Sequence, residues 1–131
     1  MATRSHIGKQ LENGQIKYIY CHWDGYPKHN GAILKEHYTT EAKVDELLAL
    51  GDLSSLGEEI GEKQDFDNIS THKDGWCLAY GRDRGEENIE ARIGDTDDFL
   101  DQEYNYLFVN GEWKCFTGTG SELVLKYTQT I

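Results

Sequence analysis

With 131 residues the chain is long enough for one domain with a substantial core and too short for two ordinary ones, so residues 1–131 are read as a single domain. Its 13 basic against 24 acidic residues leave a formal net charge of -11, which excludes general binding to polymeric nucleic acid, where Lys and Arg must be in excess to neutralise phosphates. The same charge admits two other partners: a compact anion held where the few arginines converge, or a basic protein surface covered by an acidic mimic of DNA.

No run of about 18 apolar residues is present and residues 1–6 lack the apolar core of a secretory signal, so a soluble intracellular protein with no membrane partner is expected. Cys21, Cys77 and Cys115 are odd in number, far apart and inside strand-like runs, which points to buried reduced thiols rather than disulfides or a metal site.

In chain order, residues 3–21 read as a hairpin with a type I′ turn at Asn13-Gly14, and both faces of its second strand are partly apolar. The only proline follows in Cys21-His22-Trp23-Asp24-Gly25-Tyr26-Pro27, where aromatic, His and Asp residues gather over a turn at a strand end. Residues 31–38 pair apolar positions four apart as a short helix does. A second helix is expected over 41–50, capped by Thr40, stopped at Gly51 and carrying the stripe Val44, Leu47, Leu48. Residues 52–57 read as a tight turn with core leucines, and 58–75 as a polar, acidic segment that is mobile or faces a partner. Residues 76–80 and 88–93 are expected to pair as strands across the turn Gly81-Arg82-Asp83-Arg84-Gly85. Phe99 and Leu100 fall in a short acidic helix, residues 104–117 form a second hairpin around Asn110-Gly111, and 122–131 alternate as a strand would. The sum is an α+β domain: an antiparallel sheet of two or three hairpins with two helices packed on it. Trp76, Tyr80, Tyr106 and Trp113 are expected on the sheet face away from the helices, where a homo-oligomer would cover them.

The chemistry-bearing residues favour binding over catalysis. His22, Asp24, His29 and His37 fall within sixteen residues without a compact zinc spacing, so no metal is expected, and a small hydrolase using His22 and Asp24 is the third-ranked reading. Ser54 and Ser55 lack a nucleophile elbow, and the paired acids read as solvated faces, leaving no catalytic residue to name. Anion capture is better founded. Arg82 and Arg84 flank Asp83 between two glycines, guanidinium groups grip phosphate bidentately, and Arg4 and Arg92 complete the four arginines of the chain. Trp23, Tyr26, Tyr80, Tyr106 and Trp113 are candidates to stack a base, Trp23 and Tyr26 foremost because turn residues are not needed to fill sheet faces. The candidate ligand residues are therefore Arg82, Arg84, Trp23, Tyr26, His22, Arg4, Arg92 and Tyr80, with no cofactor.

Residues 3–7 (Thr-Arg-Ser-His-Ile), the Cys21–Pro27 motif and residues 50–56 (Leu-Gly-Asp-Leu-Ser-Ser-Leu), extended by Gly81-Arg82-Asp83-Arg84-Gly85, resemble a group of small bacteriophage proteins. Within that group the chain is similar to the first family of Thoeris anti-defence proteins, phage sponges that bind glycocyclic ADP-ribose and withhold it from a bacterial effector without cleaving it. The resemblance implies an α+β protomer acting in the host bacterial cytoplasm, at least a dimer with two ligand pockets at subunit interfaces, and in some members hexamers that also bind cyclic oligonucleotides. The rival expectation, an acidic inhibitor or DNA mimic acting on a host defence protein, rests on the net charge.

Overall fold

A computed structural model describes residues 3–118 and the backbone of Glu122–Leu123. The first strand, β1 (Ser5–Gln10), pairs antiparallel with β2 (Ile16–Cys21), and the late hairpin joins β6 (Tyr104–Val109) to β7 (Glu112–Thr117). Between them come the short strands β3 (Leu53–Ser55), β4 (Leu78–Ala79) and β5 (Arg92–Gly94), and β8 (Glu122–Leu123) follows. The sheet order is β4-β3-β2-β1-β6-β7-β8, with β5 on the same edge of β2 as β3.

The α+β class and both main hairpins stand as the sequence suggests, but the sheet is mixed. β1 runs parallel to β6, with Ile7 opposite Tyr106, and β2 runs parallel to β3 at Cys21 and Leu53. No short turn links either pair, so nothing in the local chain dictates an antiparallel direction. The expected third hairpin is absent: β4 pairs with β3 and β5 with β2, while residues 80–84 wind into a helical turn between them. The two Asn-Gly turns also differ. Asn110 and Gly111 both take positive φ (52° and 78°), the type I′ geometry, whereas in the first turn only Gly14 does (87°). There Leu11 N–H meets Gln15 O and Gly14 N–H meets Leu11 O, making a three-residue loop closed by a left-handed glycine.

One sheet face carries the helices α1 (Ala32–His37) and α2 (Glu41–Ala49). Leu34, Tyr38, Val44, Leu47 and Leu48 meet Ile7, Ile19, Cys21, Tyr106 and Phe108 there, all buried. Thr40 caps α2 by accepting the Lys43 N–H at 3.2 Å. Tyr106 and Trp113, expected on the uncovered face, belong to this side: Tyr106 donates its hydroxyl proton to Gly25 O (2.6 Å) and Trp113 Nε1–H donates to Tyr38 O (2.8 Å). Trp76 and Tyr80 lie outside the strands altogether. The case for self-association therefore no longer rests on these four rings.

The opposite face is covered locally by α4 (Thr96–Phe99), which a reciprocal Asp95–Asp98 capping box starts. Phe99 packs with Ile16 and Tyr18, and Gly8 makes room for it: a Cβ there would sit 2.9 Å from the Phe99 ring, Ile16 and Tyr18. His6 pins this cover, its Nδ1 lying 2.8 Å from Phe99 O; a carbonyl only accepts, so Nδ1 carries the proton. Burial, aided by the Arg92 charge, holds the His6 pKa below the ordinary value of 6.5, against the Phe99 bond and the Asp101 and Asp52 charges. The unfolded chain therefore takes up the proton first. This contribution to stability is complete above about pH 6.5 and declines as pH falls through the lowered native value. Urea unfolding between pH 7 and pH 5 is expected to show a steeper loss in wild type than in His6→Gln, and parallel profiles would refute the assignment.

The 58–75 segment contains one short 3₁₀ turn, Ile69–Thr71, and is anchored rather than loose. The buried Gln64 fastens it: Nε2–H donates to Cys77 O (3.2 Å), and Oε1 accepts the Lys73 N–H (2.8 Å).

Candidate anion and base-stacking site

Two regions divide the polar side chains singled out above. The first follows from strand alternation: on β2, Tyr18 and Tyr20 face away from α1 and α2, and His22 continues their row. Tyr20 Oη lies 2.8 Å from His22 Nδ1, and the His22 ring meets the Trp23 indole edge-on with centroids 4.7 Å apart. The β1–β2 ladder ends at Ser5 and Cys21, and the next contact is Gly25 N–H to Thr3 O (2.8 Å), so residues 22–24 bulge out beside Arg4. Arg4 is exposed, and its guanidinium has no hydrogen bond or ion pair with any described residue. Trp23 is 44 % exposed while its backbone N–H is fixed to Ser54 O at 3.0 Å. Burial raises the Tyr20 pKa, and the nearby Arg4 charge opposes the rise.

Asp52 ties this rim to its neighbours. Its Oδ1 accepts the Tyr20 N–H (3.0 Å), its carboxylate takes both Arg92 Nη groups at 2.8 Å, and its carbonyl accepts the Tyr80 N–H (3.2 Å). Arg92 is thus near the rim but already paired. Tyr80 opens α3 (Tyr80–Arg84) and stacks on Phe66 with centroids 5.5 Å apart. Arg84 lies over both rings, 4.5 Å from the Phe66 centroid and 5.1 Å from that of Tyr80, and pairs with Glu86.

Arg82 points elsewhere. Its Nε–H and one Nη2–H bond Asp83, Nη1–H donates to Ile60 O and Nη2–H to Cys77 O, each of the latter at 2.8 Å. Four of its five donors are therefore engaged inside the fold. The flanking glycines have structural reasons as well: Gly85 takes φ 76°, and a Cβ on Gly81 would lie 2.7 Å from the Ile89 side chain.

The second region is a polar cleft of about 380 Å³ between the 24–33 turn and the 55–78 segment, lined by Asp24, His29, Glu58, His72, Asp74 and Trp76 among others. Tyr26, 39 % exposed, does not line the cleft, but its ring lies 6.1 Å from that of His29, which does. Three carboxylates against one ammonium, that of Lys73, make the cleft wall unfavourable to an anion. Of His22, Asp24, His29 and His37, Asp24 and His29 share this cleft, while His22 joins Tyr20 and Trp23 and His37 faces Glu36 and Glu58, and among the described residues no three His, Cys, Asp or Glu side chains are placed to hold a metal ion. The three cysteines are free and buried; burial pushes the Cys21 and Cys115 thiols up to about 12, so neither is a thiolate at neutral pH.

Of the eight residues expected to bind, the rim thus gathers Arg4, His22 and Trp23, with Tyr80, Arg84 and Arg92 at its border, and leaves out Arg82 and Tyr26. Tyr20 and Asp52 complete it. The first was within reach of the sequence, two residues before His22 on a strand; the second had no local signal. No protein-family model, no curated protein and no solved structure matches the chain. No helix among the described residues is long and apolar enough to cross a membrane.

Proposed function

We propose that the chain is a phage anti-defence protein that binds and sequesters a cyclic nucleotide-derived signal, of the glycocyclic ADP-ribose or cyclic oligonucleotide kind, without cleaving it, in the cytoplasm of the bacterial host. The observation that carries this reading is that Arg4, whose guanidinium has no partner among the described residues, and an exposed indole, Trp23, come to the same end of the β1–β2 hairpin. One suits a phosphate and the other a base. In a chain of net charge -11 an anion meets a repulsive mean field, and screening over about 8–10 Å lets a local arginine outweigh it. Self-association into a dimer or hexamer belongs to the same reading, which the resemblance of the Cys21–Pro27 motif supports.

Calorimetric titration with a cyclic ADP-ribose isomer tests it. A charge-assisted hydrogen bond contributes about 1.5–3 kcal/mol, so Arg4→Ala is expected to weaken binding roughly ten- to a hundredfold, and Trp23→Ala comparably through lost stacking. Ligand released by heating should be chemically intact by mass spectrometry. Wild-type affinity in both variants would sink the site.

An acidic inhibitor of a basic host protein is the second reading, favoured by the carboxylates of the cleft. It reverses the pattern: replacing Glu58 and Glu59 together would weaken a salt-sensitive protein complex, with Arg4 silent.

A further inference from the structure

The Tyr20–His22 contact determines what His22 offers a ligand. Tyr20 and His22 are two apart in extended chain, so their side chains share a face and Oη lies 2.8 Å from Nδ1. A phenol is a good donor and the bare nitrogen of a neutral imidazole a good acceptor, which makes Oη–H···Nδ1 the stronger sense of this bond. The single ring proton then sits on Nε2. No described residue bonds Nε2. Among the described residues no buried side-chain nitrogen or oxygen lacks a partner, so Nε2 is open to solvent. His22 belongs to the 22–24 bulge that the Ser5–Cys21 and Thr3–Gly25 contacts close beside Arg4, and it is next to the exposed Trp23.

We infer that Tyr20 is a positioning residue that commits His22 to the Nε2–H tautomer, so that the Nε2–H and the Arg4 guanidinium form a donor pair for the phosphoryl oxygens of a phosphorylated nucleotide. This inference rests on the rim reading above and names the ligand group that the rim recognises. In the other tautomer Nε2 would present a lone pair to the phosphate, and donor would become repulsion. The protonated ring also donates from Nε2, with Tyr20 turning to accept from Nδ1, so either protonation state offers the ligand an N–H. A pair of donors with no acceptor selects for phosphate over the base edges and hydroxyls of an unphosphorylated nucleoside.

The test uses the intact protein, ADP and adenosine as probes, and two variants, Tyr20→Phe and His22→Ala. Long-range proton–nitrogen NMR of the free wild type at pH 8 should show His22 protonated at Nε2 and accepting at Nδ1, and Tyr20→Phe should show a mixture of tautomers. ADP affinity is expected to fall roughly ten- to a hundredfold in His22→Ala, which loses a hydrogen bond to a charged group, and about two- to tenfold in Tyr20→Phe, which only mixes the tautomers, with weak adenosine binding unchanged. Near-UV circular dichroism identical to wild type would establish that Tyr20→Phe, which loses one hydroxyl, is folded. An Nδ1–H tautomer in wild type would overturn the inference even if ADP binds. The expected tautomer with equal ADP affinity in all three proteins would overturn the His22–phosphate contact and leave the rim reading intact. No ADP binding by wild type would remove both.

Discussion

Replacing Asp83 by Ala is expected to cost about 3–5 kcal/mol of stability, the range for breaking a buried ion pair from one side. The Asp83 side chain has no exposed surface, and each of its oxygens has two donors: Oδ1 takes the Gln64 N–H (2.8 Å) and Arg82 Nε–H (2.9 Å), Oδ2 the Ala79 N–H (2.7 Å) and an Arg82 Nη2–H (3.1 Å). Truncation would leave the Gln64 and Ala79 amides without their acceptor and Arg82 with only its two carbonyl partners. Burial alone would raise the Asp83 pKa, yet the Arg82 bonds and the two backbone amides outweigh it and hold the carboxyl below its usual range. The native state therefore releases this proton more readily than the unfolded chain. Its contribution is complete above the unfolded value of 3.8 and is lost as pH falls through the depressed native one, a window separate from that of His6. Urea unfolding at pH 7 measures the effect; a loss under about 1 kcal/mol would show that the cluster is not a unit. Asp83→Asn, which keeps an acceptor oxygen but no charge, should fall between.

That cluster explains why the Gly81-Arg82-Asp83-Arg84-Gly85 run misleads when read alone. Two arginines between glycines look like an anion clamp, because the groups that occupy Arg82 are the carbonyls of Ile60 and Cys77, and a carbonyl leaves no mark in a sequence. Asp83 likewise reads as a turn acid until Gln64, nineteen positions away, is seen to donate to it. The hairpins and α2 were legible because their causes are local: Asn-Gly at the turns, Thr40 at the cap, apolar residues at positions 44, 47 and 48. The parallel β1–β6 pairing had no such cause, and with it went the placement of Tyr106 and the anchoring of Phe99 by His6 across 93 positions. The candidate site lies between these cases. Strand periodicity groups Tyr20 with His22, and the hairpin brings Arg4 to the same end. Asp52, which holds Tyr20, Tyr80 and Arg92 in place, was hidden because all three of its partners are distant in sequence.

Leu47→Ala is the complementary experiment, large in effect and placed away from the rim. Leu47 is fully buried in the α2 stripe with Val44 and Leu48, in the cluster that includes Ile7 and Ile19. Ile19 alternates with Tyr20 along β2, so this packing is on the sheet face opposite the Tyr20–His22 row. Removing three carbons here loses their transfer free energy and leaves a cavity that flanking helices and strands refill only in part, a cost of about 2–5 kcal/mol. The urea midpoint should fall with the slope unchanged, and a cost near zero would mean that the stripe does not carry the core. At a temperature where the variant is still folded, its affinity for ADP should equal that of wild type, because no contact of Arg4, His22 or Trp23 passes through the helix. A matching drop in affinity would instead mean that the rim depends on the packing beneath the sheet, and the reduced binding of Arg4→Ala could then no longer be assigned to a direct contact.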